Sequence, residues 1–353
     1  MEETKPIDRV SLGPDENVSQ ESAKDLVNPI LLDVLNIYVP LLLSLGGIVS
    51  NLLNMIVFGK LGFRDSMSIN VFALSLSDFL TTFLYAVVCL CYLSDKFYPT
   101  SSIDAFVLGY IPIGWMMNAM YMVSCWITAV IAIERCVCVV LPFEVKQIFT
   151  RFRSCAVILI IYFVHISLHV PLYVIHKMEW IDKYVKVVGD INVTGRYVRV
   201  FSTLFLEETG RIEMIFDIVV SLALTDVSFV IVIICTVWMI RGLKMSSQVR
   251  QVSIKSTETT GIHKSKLSSK ERKLIKVALA LAITLTACGL PRVVTVIVEN
   301  SIPGAKTETI KSYTIILWAV TSIFTTIGCS ITIFVYLILN ANYRSTFQRL
   351  FQY

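Results

Sequence analysis

The feature that most constrains this chain is a series of seven long, almost uninterrupted apolar runs, each bounded by charges, Pro or Gly. A helix needs about 20 consecutive, mostly apolar residues to cross roughly 30 Å of hydrocarbon. Only helices and closed barrels satisfy their backbone hydrogen bonds there. The sequence therefore predicts an all-α fold, a seven-transmembrane helix bundle, with spans near residues 34–59, 68–93, 105–138, 153–176, 213–240, 273–298 and 311–338.

Composition agrees with a bilayer as the solvent. Hydrophobic residues make up 55% of the chain and charged residues only 16%, whereas soluble domains carry about 25% charged residues. The predicted domains are an extracellular tail (1–33), the seven-transmembrane domain (34–338) and a short cytoplasmic tail (339–353). In the last of these Tyr343, Phe347, Leu350 and Phe351 share one face, which predicts a short amphipathic helix on the inner leaflet.

The distribution of Lys and Arg predicts the orientation, because inner loops of membrane proteins are enriched in them. With the N-terminus outside, the inner segments hold eighteen basic and five acidic residues, and the outer segments hold twelve basic and eighteen acidic residues. We therefore expect a multi-pass protein of the plasma membrane with its N-terminus outside the cell. The net charge of +5 is then a signal of topology, and we expect no nucleic-acid partner.

Two further features fit this orientation. The N-terminus lacks the basic start and short apolar run of a cleaved signal peptide, so the first span is expected to act as the insertion signal. Two sequons, which begin at Asn17 and Asn192, fall in predicted outer segments and indicate glycosylation there. Chance occurrence is the alternative, since such triplets are common.

The cysteines and histidines indicate no metal centre and no disulfide framework. All nine cysteines lie in the predicted spans or at their cytoplasmic edges, without zinc-ligand spacing. His165 and His169, four residues apart, share a helix face, but no further ligand accompanies them, so packing is favoured over metal binding. We expect no cofactor and no metal.

Ordered motifs along the spans carry a family resemblance. The third span ends in Glu134-Arg135-Cys136 and is followed by Pro142, the second span contains Leu74 to Asp78, and the sixth contains Cys288 to Pro291. In this order, and with Gly46 to Asn51 on the first span, they resemble the rhodopsin-like (class A) G-protein-coupled receptor family over residues 51–347.

The resemblance implies a receptor that passes the signal of an extracellular peptide or small chemosensory ligand to a heterotrimeric G protein. Arrestin and receptor kinases are implied as further partners, and enzymatic activity is not expected. The stretches Gly59 to Asn70 and Leu141 to Lys146 look like invertebrate neuropeptide and chemosensory receptor sequences.

The resemblance also implies an activation switch. Arg135 is expected to be held against Glu134 and released on activation, while Glu271 closes a second ion pair with that arginine. Pro142 and Tyr336 belong to the same coupling region. Ordinary charge at the cytoplasmic edge remains the alternative for Arg135 and Glu271.

An interior polar site is implied by Asn51, Asp78 and Ser124, which match members of the family's sodium site. An acid inside hydrocarbon costs about 2.5 to 3.5 kcal/mol on insertion scales and so marks a position of interest. The last span, however, has Thr332 and Ile333 in place of the family's Asn-Pro, which leaves open whether sodium binds.

Other positions depart from the family. The outer cysteine that usually forms a disulfide would align near Tyr110, and none stands there, so packing alone is expected to hold the outer loops. Gly289 stands where most members carry a Trp beside Pro291.

The spans also restrict the ligand. No acid lies between Ala105 and Ile133, which argues against an aminergic ligand, and no Lys lies between Ser312 and Tyr336, which argues against a retinal Schiff base. Arg292 suits an acidic or carbonyl-rich ligand, or it pairs with Asp217 or Asp226. The remaining predicted lining of the same outer cavity, for which interhelical packing is the alternative, is Met117, Asn118, Tyr121, Thr295, Trp318 and Ser322.

The third inner segment, Arg241 to Lys273, is basic and rich in Ser and Thr. This composition is typical of a flexible linker and of a kinase-regulated docking loop. The rival function is a seven-span transporter or channel, but the sequence has neither internal repeats nor paired helix breaks near mid-membrane.

Overall fold

A computed structural model describes residues 29–98, 103–140, 144–176, 178–188, 193–203, 212, 215–216, 219–220, 223–255, 269–301 and 308–352. Among these residues, seven helices are long and apolar enough to cross a membrane, which confirms the predicted bundle. The predicted sites at Asn17, Pro142, Asn192 and Asp217 lie outside the described residues. The helices, here numbered as spans 1 to 7, are Ile30–Leu61, Ser66–Phe97, Ala105–Val140, Arg151–Ile175, Leu224–Gly242, Ile275–Val298 and Thr314–Leu339.

Polar caps fix where two of the spans begin. The Asp65 carboxylate accepts a bond of 2.9 Å from the Ser68 amide at the start of span 2. The Thr150 hydroxyl accepts one of 3.3 Å from the Arg153 amide at the start of span 4. Each cap satisfies an amide that has no partner within its own helix. The bounds therefore follow from the sequence immediately before each apolar run.

The helix of span 5 extends well beyond the predicted inner end of the span. It runs over Leu224–Lys255, so the first part of the predicted flexible segment is helical, and the expectation of a linker from Arg241 onward is wrong there. No Gly or Pro follows Gly242 in this helix. Once a helix is nucleated, each further residue adds one hydrogen bond at little cost.

Span 7 is interrupted at Ile331, between the helices Glu308–Ser330 and Thr332–Leu339, although no proline is present. The Asn51 amide of span 1 donates to the Cys329 carbonyl at 2.9 Å. A serine of span 1 donates likewise to the next carbonyl. Side chains that take carbonyls in this way compete with the helix's own bonds, which accounts for the interruption.

A β-hairpin that the sequence analysis did not predict precedes span 5. Strand β1 (Met178–Val188) pairs antiparallel with β2 (Val193–Thr203). The Phe201 carbonyl of β2 accepts a bond of 3.2 Å from the Asp104 amide, just before span 3. We call this end of the bundle the hairpin end and the opposite one the Arg135 end. The hairpin is thus held to the start of span 3 by a backbone hydrogen bond, and not by packing alone as expected.

The predicted C-terminal helix is present over Ala341–Leu350. Tyr343 is fully buried, with its ring centroid 5.5 Å from that of Tyr336 and 5.3 Å from that of Phe58. Its hydroxyl donates to Asn54 Oδ1 at 2.6 Å, and burial raises the pKa of that hydroxyl, which therefore stays a donor. The front of this helix consequently packs against spans 1 and 7.

Candidate functional site

At the Arg135 end, the buried carboxylate of Glu134 accepts hydrogen bonds from three side chains. Arg135 Nη2 donates to Glu134 Oε1 at 2.6 Å, and Ser66 Oγ donates to the same oxygen at 2.5 Å. Asn70 Nδ2 donates to Oε2 at 2.8 Å. Glu134 is 2% exposed and Arg135 is 6% exposed. The adjacent pair is therefore buried with both carboxylate oxygens satisfied, which a buried ion pair requires to be tolerated.

Two other residues of the predicted switch, Tyr336 and Glu271, lie in described helices, but only the side chain of Tyr336 is described. Tyr336 is buried, with its hydroxyl unpaired and its ring edge-on to Phe58 at 5.0 Å. Glu271 lies in the helix Ser269–Ser301 that contains span 6, but its side chain is outside the described set. The predicted second ion pair stays a prediction.

In the bundle interior, Asp78 is 2% exposed and accepts a bond of 2.5 Å from Ser124 Oγ. Cys329 of span 7 lines the same small void as this carboxylate. Asn51 reaches the backbone of Cys329 instead of Asp78 itself. Cys329 therefore lies between Asp78 and Asn51 in the interior site. Its position was not predicted from the sequence because it depends on which residues of span 7 face span 2.

A small void of about 30 Å³ adjoins Asp78, Ser124 and Cys329. A water molecule needs roughly 10 to 15 Å³ of such volume, so the void has room for water. The polar residues of its lining include Asp78, Ser124 and several threonines.

A second polar cluster connects span 1, span 7 and the C-terminal helix. Asn54 Nδ2 donates to Thr332 Oγ1 at 3.2 Å, and Thr332 Oγ1 donates to Asn51 Oδ1 at 3.4 Å. Tyr343 completes the cluster through its bond to Asn54. Thr332, which replaces the asparagine of the family motif, thus takes part in the interior hydrogen bonding.

A cavity of about 430 Å³ lies between the spans toward the hairpin end. Six of the seven residues predicted to line it are in its wall: Met117, Asn118, Tyr121, Arg292, Trp318 and Ser322. Thr295 is buried behind that wall, where its hydroxyl lies 2.8 Å from that of Thr321. Helix packing accounts for its position.

Arg292 gives the cavity a positive charge next to aromatic rings. Its guanidinium carbon lies 5.8 Å from the centroid of the Tyr121 ring, within the range of a cation–π interaction. The side chain is 9% exposed, and its charge also acts on Asp226 at the start of span 5. Among the described residues, the cavity wall therefore combines one cation with largely apolar and aromatic surface.

Asn118, a polar residue of the cavity wall, contacts a histidine of span 4 on the side away from the cavity. Asn118 Nδ2 lies 3.3 Å from His169 Nε2, and His169 Nδ1 lies 2.8 Å from the His165 carbonyl oxygen. His165 and His169 pack near Trp126 and Trp115, respectively. Among the described residues, no group of three or more His, Cys, Asp or Glu residues is placed to hold a metal ion.

Most of the aromatic residues that line the cavity were not predicted from the sequence. Tyr85 and Tyr92 of span 2 line the cavity together with Tyr110 and Trp115 near the start of span 3. Tyr85 and Tyr92 are seven residues apart and so share a helix face, which is a usable signal. That face is recognisable as a cavity wall only when the opposing helix is placed.

Most of the chain is similar in sequence to one known protein family. The family model of the 7 transmembrane receptor (rhodopsin family) matches residues 51–338. No curated protein sequence matches the chain. Since the match covers most of the chain, from the second half of span 1 to the end of span 7, the protein belongs to the rhodopsin family of seven-transmembrane receptors and is a multi-pass membrane protein.

Proposed function

We propose that the chain is a G-protein-coupled receptor with its hairpin end outside the cell. A ligand in the cavity favours a bundle arrangement in which the Arg135 end opens for a heterotrimeric G protein. The observation that carries the proposal is the buried Glu134–Arg135 pair in a bundle whose opposite end contains a ligand-sized cavity. The charge asymmetry of the loops supports the orientation.

The other hydrogen-bond donors around Glu134 lower the free-energy cost of separating Arg135 from it. Removing one partner from a buried ion pair usually leaves an uncompensated charge, at a cost of about 3 to 5 kcal/mol. Here Ser66 and Asn70 continue to donate to Glu134 after Arg135 leaves. The arginine can then turn toward a partner without leaving the carboxylate unpaired, and a ligand that binds the open arrangement more tightly shifts the population toward it.

The cavity favours a ligand that carries a carboxylate or several carbonyl groups beside an apolar or aromatic body. Arg292 supplies the cation, and Tyr121, Trp318 and Tyr92 supply rings. A small carboxylic acid and the free C-terminus of a peptide share this chemistry. Both a small chemosensory molecule and a neuropeptide therefore fit the proposal, and arrestin and receptor kinases are the further partners expected for such a receptor.

The test is G-protein activation in cells that express the chain, measured by energy transfer between labelled G-protein subunits. The probes are pooled small carboxylic acids, pooled peptides with free C-termini and the same peptides with amidated C-termini. We expect a response from one of the first two pools, loss of that response in Arg135→Ala at equal surface density, and at least a tenfold lower potency in Arg292→Gln.

Other outcomes separate the parts of this proposal. A response to the amidated pool that Arg292→Gln leaves unchanged refutes the acidic ligand but not the receptor. Transport or ionic current that persists in Arg135→Ala, without G-protein activation, refutes the receptor in favour of a transporter or channel. A protease-resistant N-terminus on intact cells, together with loss of glycosylation signals at Asn17 and Asn192, refutes the orientation.

A further inference from the structure

The side of the cavity that spans 2 and 7 form carries four buried threonines: Thr81, Thr82, Thr321 and Thr326. Three of their hydroxyls donate to the carbonyl four residues earlier in the same helix. The bonds measure 2.8 Å for Thr81, 2.9 Å for Thr82 and 2.8 Å for Thr326. A hydroxyl has one hydrogen and two lone pairs, so these three oxygens can still accept a hydrogen bond.

The fourth threonine, Thr321, gives its hydrogen to Thr295 behind the wall. Thr295 Oγ1 lies 2.9 Å from the Pro291 carbonyl oxygen, and since a carbonyl only accepts, the hydrogen there is that of Thr295. The two hydroxyl oxygens lie 2.8 Å apart, so the hydrogen between them comes from Thr321. All four wall hydroxyls can therefore accept a bond from a ligand, but none can donate one without breaking a bond that it already makes.

The wall offers a buried cation no opposite charge. Among the described residues that line the cavity, none is Asp or Glu. An ammonium group beside the threonines would lose its hydration without a counter-charge, and Arg292 would repel it. An uncharged N–H group loses far less on leaving water and is compensated by a single acceptor. The threonines therefore suit an uncharged donor such as a peptide amide.

The threonines and the cation lie at a similar depth in the bundle. Asp78 of span 2 and Ser124 of span 3 are joined by a bond of 2.5 Å, which places them at one level. Thr82 and Tyr121 each lie about one helical turn nearer the hairpin end. Arg292 packs against the Tyr121 ring, 5.8 Å from its centroid. A ligand can therefore contact the cation and the threonines together.

The distance between these groups corresponds to a short length of peptide. Neighbouring helix axes lie about 8 to 10 Å apart, and an extended residue covers about 3.3 to 3.6 Å, so about two to three residues reach from Arg292 of span 6 to the threonines of span 7. The amides of those residues supply uncharged N–H groups where the wall accepts them.

We propose that the cavity selects a carboxylate that is preceded by amide N–H groups, which is the chemistry of the free C-terminus of a peptide. Arg292 binds the carboxylate, and the threonines accept from the amides of the last residues. The proposal rests on the proposed function of the cavity as the ligand site. It distinguishes a peptide C-terminus, or an N-acylated amino acid with the same groups, from a plain carboxylic acid, which satisfies Arg292 alone.

The experiment measures binding to the full chain in nanodiscs, without G protein, by affinity selection and mass spectrometry. Three libraries contain N-acetyl dipeptides with an aromatic last residue: one with the free carboxylate, one with a C-terminal amide, and one with an ester in place of the amide between the two residues. The ester retains the length of the amide but has no N–H. A fourth library contains arylalkanoic acids. Dissociation constants are then measured for retained members and their matched analogues.

The variants are Thr82→Val and Thr326→Val, because valine resembles threonine in shape but has no oxygen. The control is Thr286→Val. Thr286 also donates to the carbonyl four residues earlier, at 2.9 Å, but it does not line the cavity. A thermal unfolding midpoint for each sample shows that the variant is folded.

We expect the wild type to retain dipeptide acids and to bind the matched esters about three- to tenfold more weakly, the effect of one uncharged hydrogen bond. The difference between amide and ester should disappear in at least one of the two cavity variants and persist in Thr286→Val, since the comparison isolates the pairwise interaction. The C-terminal amides should bind more weakly than the acids to the wild type, and equally to Arg292→Gln.

Three results overturn the proposal. The first is equal affinity of amide and ester for the wild type, which needs no variant and so decides the question even where a variant does not fold. The second is an amide–ester difference that is undiminished in both cavity variants. The third is retention of no dipeptide acid, whether or not arylalkanoic acids bind. Because binding is measured without G protein, dipeptide binding without G-protein activation refutes the proposed function alone, and activation by another class of ligand refutes the selectivity alone.

Discussion

Two adjacent glycines of span 1 provide a matched test of how tightly the bundle is packed. A Cβ atom on Gly47 would lie 2.5 Å from Ser330 Oγ and 2.6 Å from Thr82 Cγ2. A Cβ atom on Gly46 would meet no atom within 4 Å. Gly47→Ala therefore pushes against spans 2 and 7, whereas Gly46→Ala points into open space.

The magnitude follows from the difference between the two variants. Both gain the helix preference of alanine over glycine, about 1 kcal/mol, so that contribution cancels. Overpacking in a close-packed interior costs about 1 to 3 kcal/mol. At about 2 °C per kcal/mol, the value for larger domains, Gly47→Ala should unfold about 2 to 6 °C below Gly46→Ala.

The chain's own cysteines provide the assay. All nine are free, and five of them, including Cys89 and Cys125, are buried, so a dye that fluoresces on reaction with thiols reports unfolding in detergent. Wild type, Gly46→Ala and Gly47→Ala are heated in parallel at one scan rate. Equal midpoints for the two variants, or a lower one for Gly46→Ala, would refute the close approach of span 1 to spans 2 and 7.

Three further predictions concern the polar sites. Glu134→Gln removes the charge that holds Arg135; a charge-assisted bond is worth about 1.5 to 3 kcal/mol, so ligand-independent G-protein activation per surface receptor should rise by about tenfold or more, and no rise contradicts the release model. Tyr343→Phe leaves an acceptor of Asn54 unpaired at a cost of about 1 to 3 kcal/mol and should lower the thermal midpoint, while an unchanged midpoint argues against that bond. Replacing sodium by choline should leave the midpoint of the wild type unchanged, because Cys329, a poor sodium ligand, takes up part of the lining of the void beside Asp78; a sodium-dependent rise that Asp78→Asn abolishes would establish the ion site.

The sequence predicted the seven spans well because an apolar run of sufficient length identifies a membrane helix without knowledge of its neighbours. Six of the residues predicted through the family resemblance line a cavity of the structure, and the binding of a ligand there stays a prediction. The position of Cys329 beside Asp78 was not predictable, since it depends on how helices that are distant in sequence face one another. The hairpin was missed because its alternation of apolar and basic residues is weak beside the signal of a span.

The attachment of β2 to the start of span 3 does not depend on disulfide formation. The carbonyl of Phe201 holds the hairpin to the start of span 3 through a backbone hydrogen bond, and all nine cysteines, each within the described residues, are free thiols. Reducing agents therefore have no covalent bond to cleave at this end. Synthesis in a reducing cell-free extract, directly into lipid, should yield the same hairpin contact as passage through an oxidising secretory compartment.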